Sequence, residues 1–158
     1  MRTFSSSDNP HRSDNPAKPA GGPAKPVRGR GRSQLPDKLL SNCSILVVED
    51  EYLLADEVAK GLRSFGADIV GPCPSQQAAY DLVDHAGHID GALLDINLRG
   101  VQAFELADFL QARGIPVVFA TGYEPAILPP RFASVPRCVK PLRMNAIARA
   151  LKRRIKRS

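Results

Sequence analysis

Short, mostly apolar runs recur along the chain, separated by segments in which apolar residues are spaced further apart. The strongest runs are Ile45–Val48, Ile89–Ile96 and Pro116–Ala120, and weaker ones are Asp68–Gly71 and Pro136–Val139. Apolar runs of this length are typical of strands that are buried on both faces of a sheet. The pattern therefore predicts five strands.

The segments between these runs repeat apolar residues every three or four positions, which is the spacing of one helix face. Ser75 is a suitable N-cap for the second segment, and Gly66, Gly87 and Gly114 are expected to end the first three helices. The apolar positions of the four predicted helices are, in order, Leu54, Val58, Leu62 and Phe65; Ala78, Ala79, Leu82 and Val83; Phe104, Ala107 and Leu110; and Met144, Ile147, Ala148, Leu151 and Ile155.

Strands and helices alternate along the chain, which predicts parallel strands with helices on both faces of the sheet. The fold class is therefore α/β, with a doubly wound five-stranded parallel sheet in one domain over residues 41–158. One connection breaks the alternation, since Pro129 and Pro130 lie between Thr121 and Pro136. Prolines interrupt helices, so the helix that would connect the fourth and fifth strands, the fourth helix of a fully alternating fold, is expected to be short or absent.

Composition separates the first 40 residues from the rest. Residues 1–40 carry eight Lys/Arg and three Asp and are crowded with Pro, Gly and Ser, so we expect a disordered basic tail. The chain shows neither a transmembrane run nor the apolar core of a secretory signal. Cys43, Cys73 and Cys138 fit no disulfide or zinc spacing, so reduced thiols and a cytoplasmic location are expected.

Side chains suited to chemistry are concentrated where the predicted strands end. Glu49 and Asp50 follow the first strand, Asp95 ends the third, Thr121 ends the fourth and Lys140 follows the fifth. Ligands bind at this edge in open parallel sheets, so these groups are expected to converge. Converging carboxylates require a cation, and oxygen ligands with open water positions suit Mg²⁺. The set indicates phosphoryl transfer to a carboxylate, assisted by the metal and the lysine.

Four segments carry a resemblance to a known family. VVEDE, LLDINLRG, FATG and VKP occur in this order at the predicted strand ends, and over about residues 43–157 the sequence resembles the receiver domains of bacterial two-component response regulators. The resemblance implies a flavodoxin-like fold with strand order 2-1-3-4-5. It implies that Asp95 is the phosphoacceptor and that Asp50, Asp95 and the backbone carbonyl of Asn97 bind Mg²⁺, with Glu49 acting through water.

The same resemblance implies roles on the other side of the site. Thr121 and Lys140 would contact the phosphoryl group, and the Lys140–Pro141 peptide would be cis. Arg99 stands where many receivers have proline, and we expect this difference to alter the loop slightly without changing the chemistry.

One subgroup of the family fits more closely. The stretch PVVFATGYEP resembles the strand-four motif of the FAT GUY receivers of alphaproteobacteria. Cys138 occupies the place where many receivers carry an aromatic switch residue, and the interrupted helix between the fourth and fifth strands agrees with the same subgroup. Since a cysteine is too small for that role, Tyr123, two residues after Thr121, is the switch candidate. Packing over the loop is an equally weighted alternative for Tyr123.

The predicted function is that of a single-domain response regulator in a phosphorelay, and not that of an enzyme. The phosphoryl donor would be the phosphohistidine of a sensor histidine kinase or of a histidine phosphotransfer protein. The output would be contact with a downstream signalling protein or onward phosphotransfer, since the chain ends with the last helix. An aspartate-nucleophile phosphatase fits poorly, because those enzymes use a D-x-D pair after the first strand, whereas Asn97 stands two residues after Asp95 here.

Two alternatives stay open. The chain resembles receivers closely enough to be a receiver-like adaptor that is never phosphorylated. The KPVRGRGRS stretch of the tail could also hold a nucleic-acid backbone by charge, although it lacks the aromatic residues that stack on bases. Asp50 alone could be a cap of the first helix, and the basic residues of the last helix are interpreted as a solvated face.

Overall fold

The computed structural model describes residues 38–122 and 128–155. The predictions about residues 1–37 and about Tyr123 therefore lie outside the described residues. Leu40, the last residue before the predicted boundary at residue 41, is fully buried in the core. Its backbone N–H donates to the carbonyl of Phe65 at 2.9 Å, so the folded domain includes the last residues assigned to the tail.

Over residues 38–122 and 128–155, five parallel strands form the central sheet, and two very short strands form a separate antiparallel hairpin. In chain order the strands are β1 Ser44–Val48, β2 Asp68–Cys73, β3 Gly91–Asp95, β4 Asn97–Leu98, β5 Val101–Gln102, β6 Val117–Thr121 and β7 Arg137–Val139. The sheet order is β2-β1-β3-β6-β7. This is the predicted order 2-1-3-4-5, because the hairpin strands β4 and β5 shift the numbering of the last two.

Within the part of the chain that the structure describes, four α-helices cover the two faces of the sheet, which confirms the doubly wound α/β fold. They are α1 Tyr52–Ser64, α2 Gln76–His85, α3 Phe104–Ala112 and α4 Met144–Arg154. Helices α1 and α4 pack on one face, while α2 and α3 pack on the other. No helix within the described ranges has the length and apolar character that crossing a bilayer requires.

The central strand β1 shows why the apolar runs are continuous. Leu46 and Val48 point into the core under α2 and α3, whereas Ile45 and Val47 point into the core under α1 and α4. Successive side chains of a strand face opposite sides, so a strand between two helical layers needs apolar residues at every position. The polar residues follow immediately afterwards, where the strand leaves the sheet.

The helix ends follow the predicted signals in most places. The Ser75 hydroxyl accepts a hydrogen bond from the backbone N–H of Ala78 at 3.2 Å, which confirms the N-cap of α2. Gly66 and Gly114, with φ of +89° and +75°, follow α1 and α3 in the left-handed conformation that favours glycine. Helix α2 ends earlier than Gly87, at His85.

Strand β2 continues two residues beyond its predicted end at Gly71, through Pro72 to Cys73. The pairing of β1 with β2 shifts register between Leu46 and Val48, which is the mark of a bulge. Strand β2 lies at the edge of the sheet, where a proline is tolerated because one side of the strand has no partner.

The connection from β6 to β7 contains one 3₁₀ turn, Pro130–Phe132, and no α-helix within its described residues 128–136. This agrees with the predicted effect of Pro129 and Pro130; the residues around Pro125 lie outside the described ranges. Phe132 anchors the turn, and its ring is fully buried. It stacks on Phe104 and meets Phe119 edge-on, with ring centroids 5.5 Å apart in both pairs.

We expect Phe132→Ala to lower the free energy of unfolding by about 3–5 kcal/mol, because it leaves a cavity between two aromatic rings. The matched control is Phe65→Ala, where the ring is only partly buried at the other face, so the loss should be smaller. Denaturant unfolding measures both. Equal losses would show that Phe132 does not anchor the connection.

Candidate functional site

Three acidic side chains meet at the carboxyl edge of the two central strands. Glu49 and Asp50 follow β1, and Asp95 is the last residue of β3, which pairs with β1. Each offers a carboxylate oxygen, and these oxygens all lie within 4.8 Å of one another. Glu49 and Asp95 are 4% and 5% exposed. The convergence expected from the strand ends is therefore present.

Lys140 connects two of these acids. It follows the edge strand β7, and its Nζ lies 2.7 Å from Oδ2 of Asp95 and 3.1 Å from Oε2 of Glu49. Its backbone N–H donates to the carbonyl of Thr121 at 2.9 Å, and the Lys140–Pro141 peptide is cis. The backbone at the end of β7 is thus held to β6 while the side chain reaches across to β3.

Burial and hydrogen bonding have opposite effects on the pKa of Glu49, and also on that of Lys140. Burial raises the pKa of Glu49 above its usual range, and the hydrogen bonds from Glu51 and Lys140 only partly offset this. Burial lowers the pKa of Lys140, but the hydrogen bonds to Asp95 and Glu49 outweigh it, so the pKa lies above the ordinary value. Lys140 therefore stays charged at neutral pH.

A backbone N–H fixes the orientation of each carboxylate. The three donor–acceptor pairs are Glu51 N to Glu49 Oε1 at 3.1 Å, Asn97 N to Asp95 Oδ1 at 3.0 Å, and Arg99 N to Asp50 Oδ2 at 3.1 Å. The alternative role of Asp50 as a helix cap is not what the structure shows. Glu51 occupies the N-cap position of α1, and its side chain makes no capping hydrogen bond.

Thr121 and Asn97 lie at the same edge, but their side chains hydrogen-bond to backbone groups of their own loops. Thr121 is largely buried at the end of β6, and its hydroxyl donates to the carbonyl of Gly122 at 3.3 Å. The Asn97 side chain accepts from the backbone N–H of Gly100 at 2.7 Å. Tyr123, the switch candidate, lies outside the described residues.

The donor set fits a hard divalent cation. Glu49, Asp50 and Asp95 bring three carboxylates together, whereas Lys140 is the one cation in contact with them among the described residues. The excess negative charge is costly in a partly buried site, and carboxylate oxygens are the ligands that Mg²⁺ takes.

No family model matches the chain. Among curated proteins, it is 37% identical over 87 residues to the sensory transduction protein RegX3 of Mycolicibacterium smegmatis, covering 53% of this chain. The chain spans only 36% of that relative's length.

Solved structures match over most of the described domain. The solution structure of SdrG from Sphingomonas melonis Fr1 is 37% identical, with a TM-score of 0.64, over 72% of this chain and 97% of that one. The receiver domain of the hybrid histidine kinase CckA is 27% identical, with a TM-score of 0.57, over 72% of this chain and 99% of that one. Together with the fold and the acidic edge, these matches show that the chain belongs to the receiver domains of response regulators. Such domains are signalling modules.

We expect Lys140→Met to lower the free energy of unfolding by about 3 kcal/mol at pH 7 without metal, since it leaves two buried carboxylates without their ammonium partner. The matched control is Lys60→Met, which removes an exposed ion pair with Asp56 and should lower the free energy of unfolding far less.

The deficit of Lys140→Met should shrink as the pH falls. Without the ammonium, the pKa of Glu49 rises further in the folded state, so the folded variant binds a proton at a higher pH than the unfolded chain does. Its stability relative to wild type therefore increases on acidification through that pKa. Urea unfolding at several pH values measures this, and a deficit independent of pH would contradict the ion-pair interpretation.

Proposed function

We propose that this chain is a response regulator that accepts a phosphoryl group on Asp95, with Mg²⁺ bound at the acidic edge. One observation carries the proposal. The Asp95 carboxylate is held between the Lys140 ammonium and a backbone N–H, at the point where Glu49 and Asp50 converge on it. A nucleophile, a cation and a metal-type donor set at one place are what phosphoryl transfer to a carboxylate requires.

In the proposed reaction, a carboxylate oxygen of Asp95 attacks the phosphorus of a phosphohistidine. The P–O bond forms as the P–N bond breaks, and the electron pair leaves with the imidazole nitrogen. Bound Mg²⁺ would supply positive charge to the phosphoryl oxygens; Asp50, Asp95 and the carbonyl of Asn97 would hold it, and Glu49 would reach it through water. Lys140, in contact with Asp95, would supply a second positive charge to the phosphoryl group.

Thr121 supplies the proposed link from the phosphoryl group to the surface. Its hydroxyl bonds to its own loop in this structure, at a distance of 3.3 Å that is long for O–H···O. A phosphoryl group on Asp95 offers new acceptor oxygens to this hydroxyl. Turning the Thr121 side chain would pull on the segment that follows β6, where Tyr123 is our candidate for the residue that reports phosphorylation.

Membership of the FAT GUY subgroup is part of the proposal. It is supported by the PVVFATGYEP stretch, by the small Cys138 on β7 and by the 3₁₀ turn in the described part of the connection. The proposed donors are a sensor histidine kinase or a histidine phosphotransfer protein, and the output is contact with a signalling protein or onward transfer within a phosphorelay. A phosphorylation-independent adaptor and nucleic-acid binding by the tail are the competing functions.

The first test is labelling with acetyl phosphate and Mg²⁺, followed by intact mass. Wild type should gain the mass of one phosphoryl group, removable by hydroxylamine as an acyl phosphate is, and Asp95→Asn should gain none. The matched control is Asp90→Asn, which changes the acid just before the opposite end of β3 and should label normally. Labelling of Asp95→Asn would overturn the assignment, and an unlabelled wild type would favour the adaptor.

The second test concerns the metal. Mg²⁺ at ten times its dissociation constant should raise the free energy of unfolding of wild type by about 1.4 kcal/mol, because it binds only the folded chain. Asp50→Asn should lose most of this gain, whereas Asp56→Asn, on the exposed face of α1, should keep it. Denaturant unfolding with and without Mg²⁺ measures the difference. A full gain in Asp50→Asn would remove Asp50 from the site.

A further inference from the structure

The hairpin Asn97–Gln102 follows Asp95 directly and has a tight two-residue turn at Arg99 and Gly100. Both turn residues are left-handed, with φ of +52° and +84°. This is the geometry of the type I′ turn, which suits the twist of paired strands. A left-handed conformation costs a residue with a side chain about 1 kcal/mol. Arg99 adopts it nonetheless, so other contacts must hold the hairpin.

Contacts at several points fix the hairpin against the domain. Leu98 is 4% exposed and packs in the core under α2 and α3. Gln76 at the start of α2 donates its side-chain amide to the carbonyl of Gln102 at 3.1 Å. The backbone N–H of Ala103 donates to the carbonyl of Ile96 at 2.8 Å, which closes the base. The backbone of Arg99 is thus presented on a braced element.

The three acids of the site differ in how they are oriented. Glu49 and Asp95 each accept from the backbone N–H two residues further along, so their orientation is local. Asp50 instead accepts from the N–H of Arg99, 49 residues away in sequence. In this hydrogen-bonded orientation Asp50 already offers an oxygen within 4.8 Å of those of the other two acids. A carboxylate has lone pairs enough to accept this bond and bind a cation as well.

We propose that the backbone N–H of Arg99 is a positioning group, which orients Asp50 toward the metal and sets the Mg²⁺ affinity of the site. The inference rests on the proposed function, since it requires Mg²⁺ to bind there. It assigns the role to the backbone and not to the guanidinium, because the Arg99 side chain is exposed and makes no ion pair with the described residues. Proline, which many receivers have at this position, would remove the N–H and could not adopt a positive φ. The inference therefore replaces the expectation that arginine in place of proline leaves the chemistry of the site unchanged.

The experiment compares Arg99→Pro with Arg99→Gly. Glycine keeps the N–H and favours the left-handed turn, so it removes only the side chain. Calorimetric titration with MgCl₂ should show Arg99→Pro binding about tenfold more weakly, the usual effect of losing a hydrogen bond to a metal ligand. Arg99→Gly should bind as wild type does.

A kinetic readout separates positioning from general damage. The rate of labelling by acetyl phosphate should need more Mg²⁺ for half-saturation in Arg99→Pro, while its value at saturating Mg²⁺ should stay near that of wild type. A loss of rate that saturating Mg²⁺ does not restore would point to damage at Asp95 and contradict the inference. So would a weakening in Arg99→Gly equal to that in Arg99→Pro, which would assign the effect to the side chain.

Two further outcomes distinguish a failure of this inference from a failure of the proposed metal site. If wild type itself binds no Mg²⁺, the proposed metal site fails. If wild type binds and Arg99→Pro binds equally well, only the role of the Arg99 N–H fails. Should Arg99→Pro not fold, replacing the 98–99 amide by an ester deletes the N–H and keeps the arginine, and unchanged Mg²⁺ affinity in the ester would overturn the inference.

Discussion

The structure depends on how it holds like charges together at the carboxyl edge of its sheet. Glu49 and Asp95 are nearly inaccessible to water, and their strands are direct neighbours. Their repulsion and their desolvation both oppose folding in the ionised state. Lys140 offsets this cost with one ammonium placed between the two carboxylates. One ammonium cannot neutralise three carboxylates, since Asp50 lies beside Glu49 and Asp95. The site therefore still attracts a further cation.

Backbone N–H groups also hold the three carboxylates in place. Each carboxylate keeps one oxygen on an N–H, so its direction is set before any ligand arrives. Preorganised donors of this kind are the usual source of electrostatic assistance in phosphoryl transfer. Two of these amides, those of Glu51 and Asn97, lie only two residues after the acid that they bind. The third comes from the hairpin, which connects the geometry of the metal site to the packing of Leu98 and to the start of α2.

On the side of Thr121, the site adjoins an irregular connection. Strand β6 carries Thr121 into a connection whose described part has one turn of 3₁₀ helix in place of a full helix. Phe132 holds that turn to the core through two aromatic contacts. Thr121, at the end of β6, therefore lies at the same edge of the sheet as the three acids. The proposed signalling from Asp95 through Thr121 rests on this shared edge.

The sequence by itself determined the sheet, the helical layers and the edge at which the site forms. Continuous apolar runs of four or five residues rich in Val and Ile are typical of strands buried on both faces, and parallel strands bring their carboxyl ends together. Glu49, Asp50, Asp95, Thr121 and Lys140 could therefore be chosen from their positions at strand ends. The prolines of the connection likewise have a local effect that needs no tertiary context.

Tertiary structure alone decided the features that depend on distant contacts. Leu40 is ordered because the core reaches back beyond the composition boundary, and β2 extends past Pro72 because an edge strand with a bulge accepts it. The Asn97–Gln102 hairpin has too few residues to leave a periodic signal. The partner of Asp50 is 49 residues away, so no local pattern could indicate that an arginine's backbone, and not its charge, holds this acid in place.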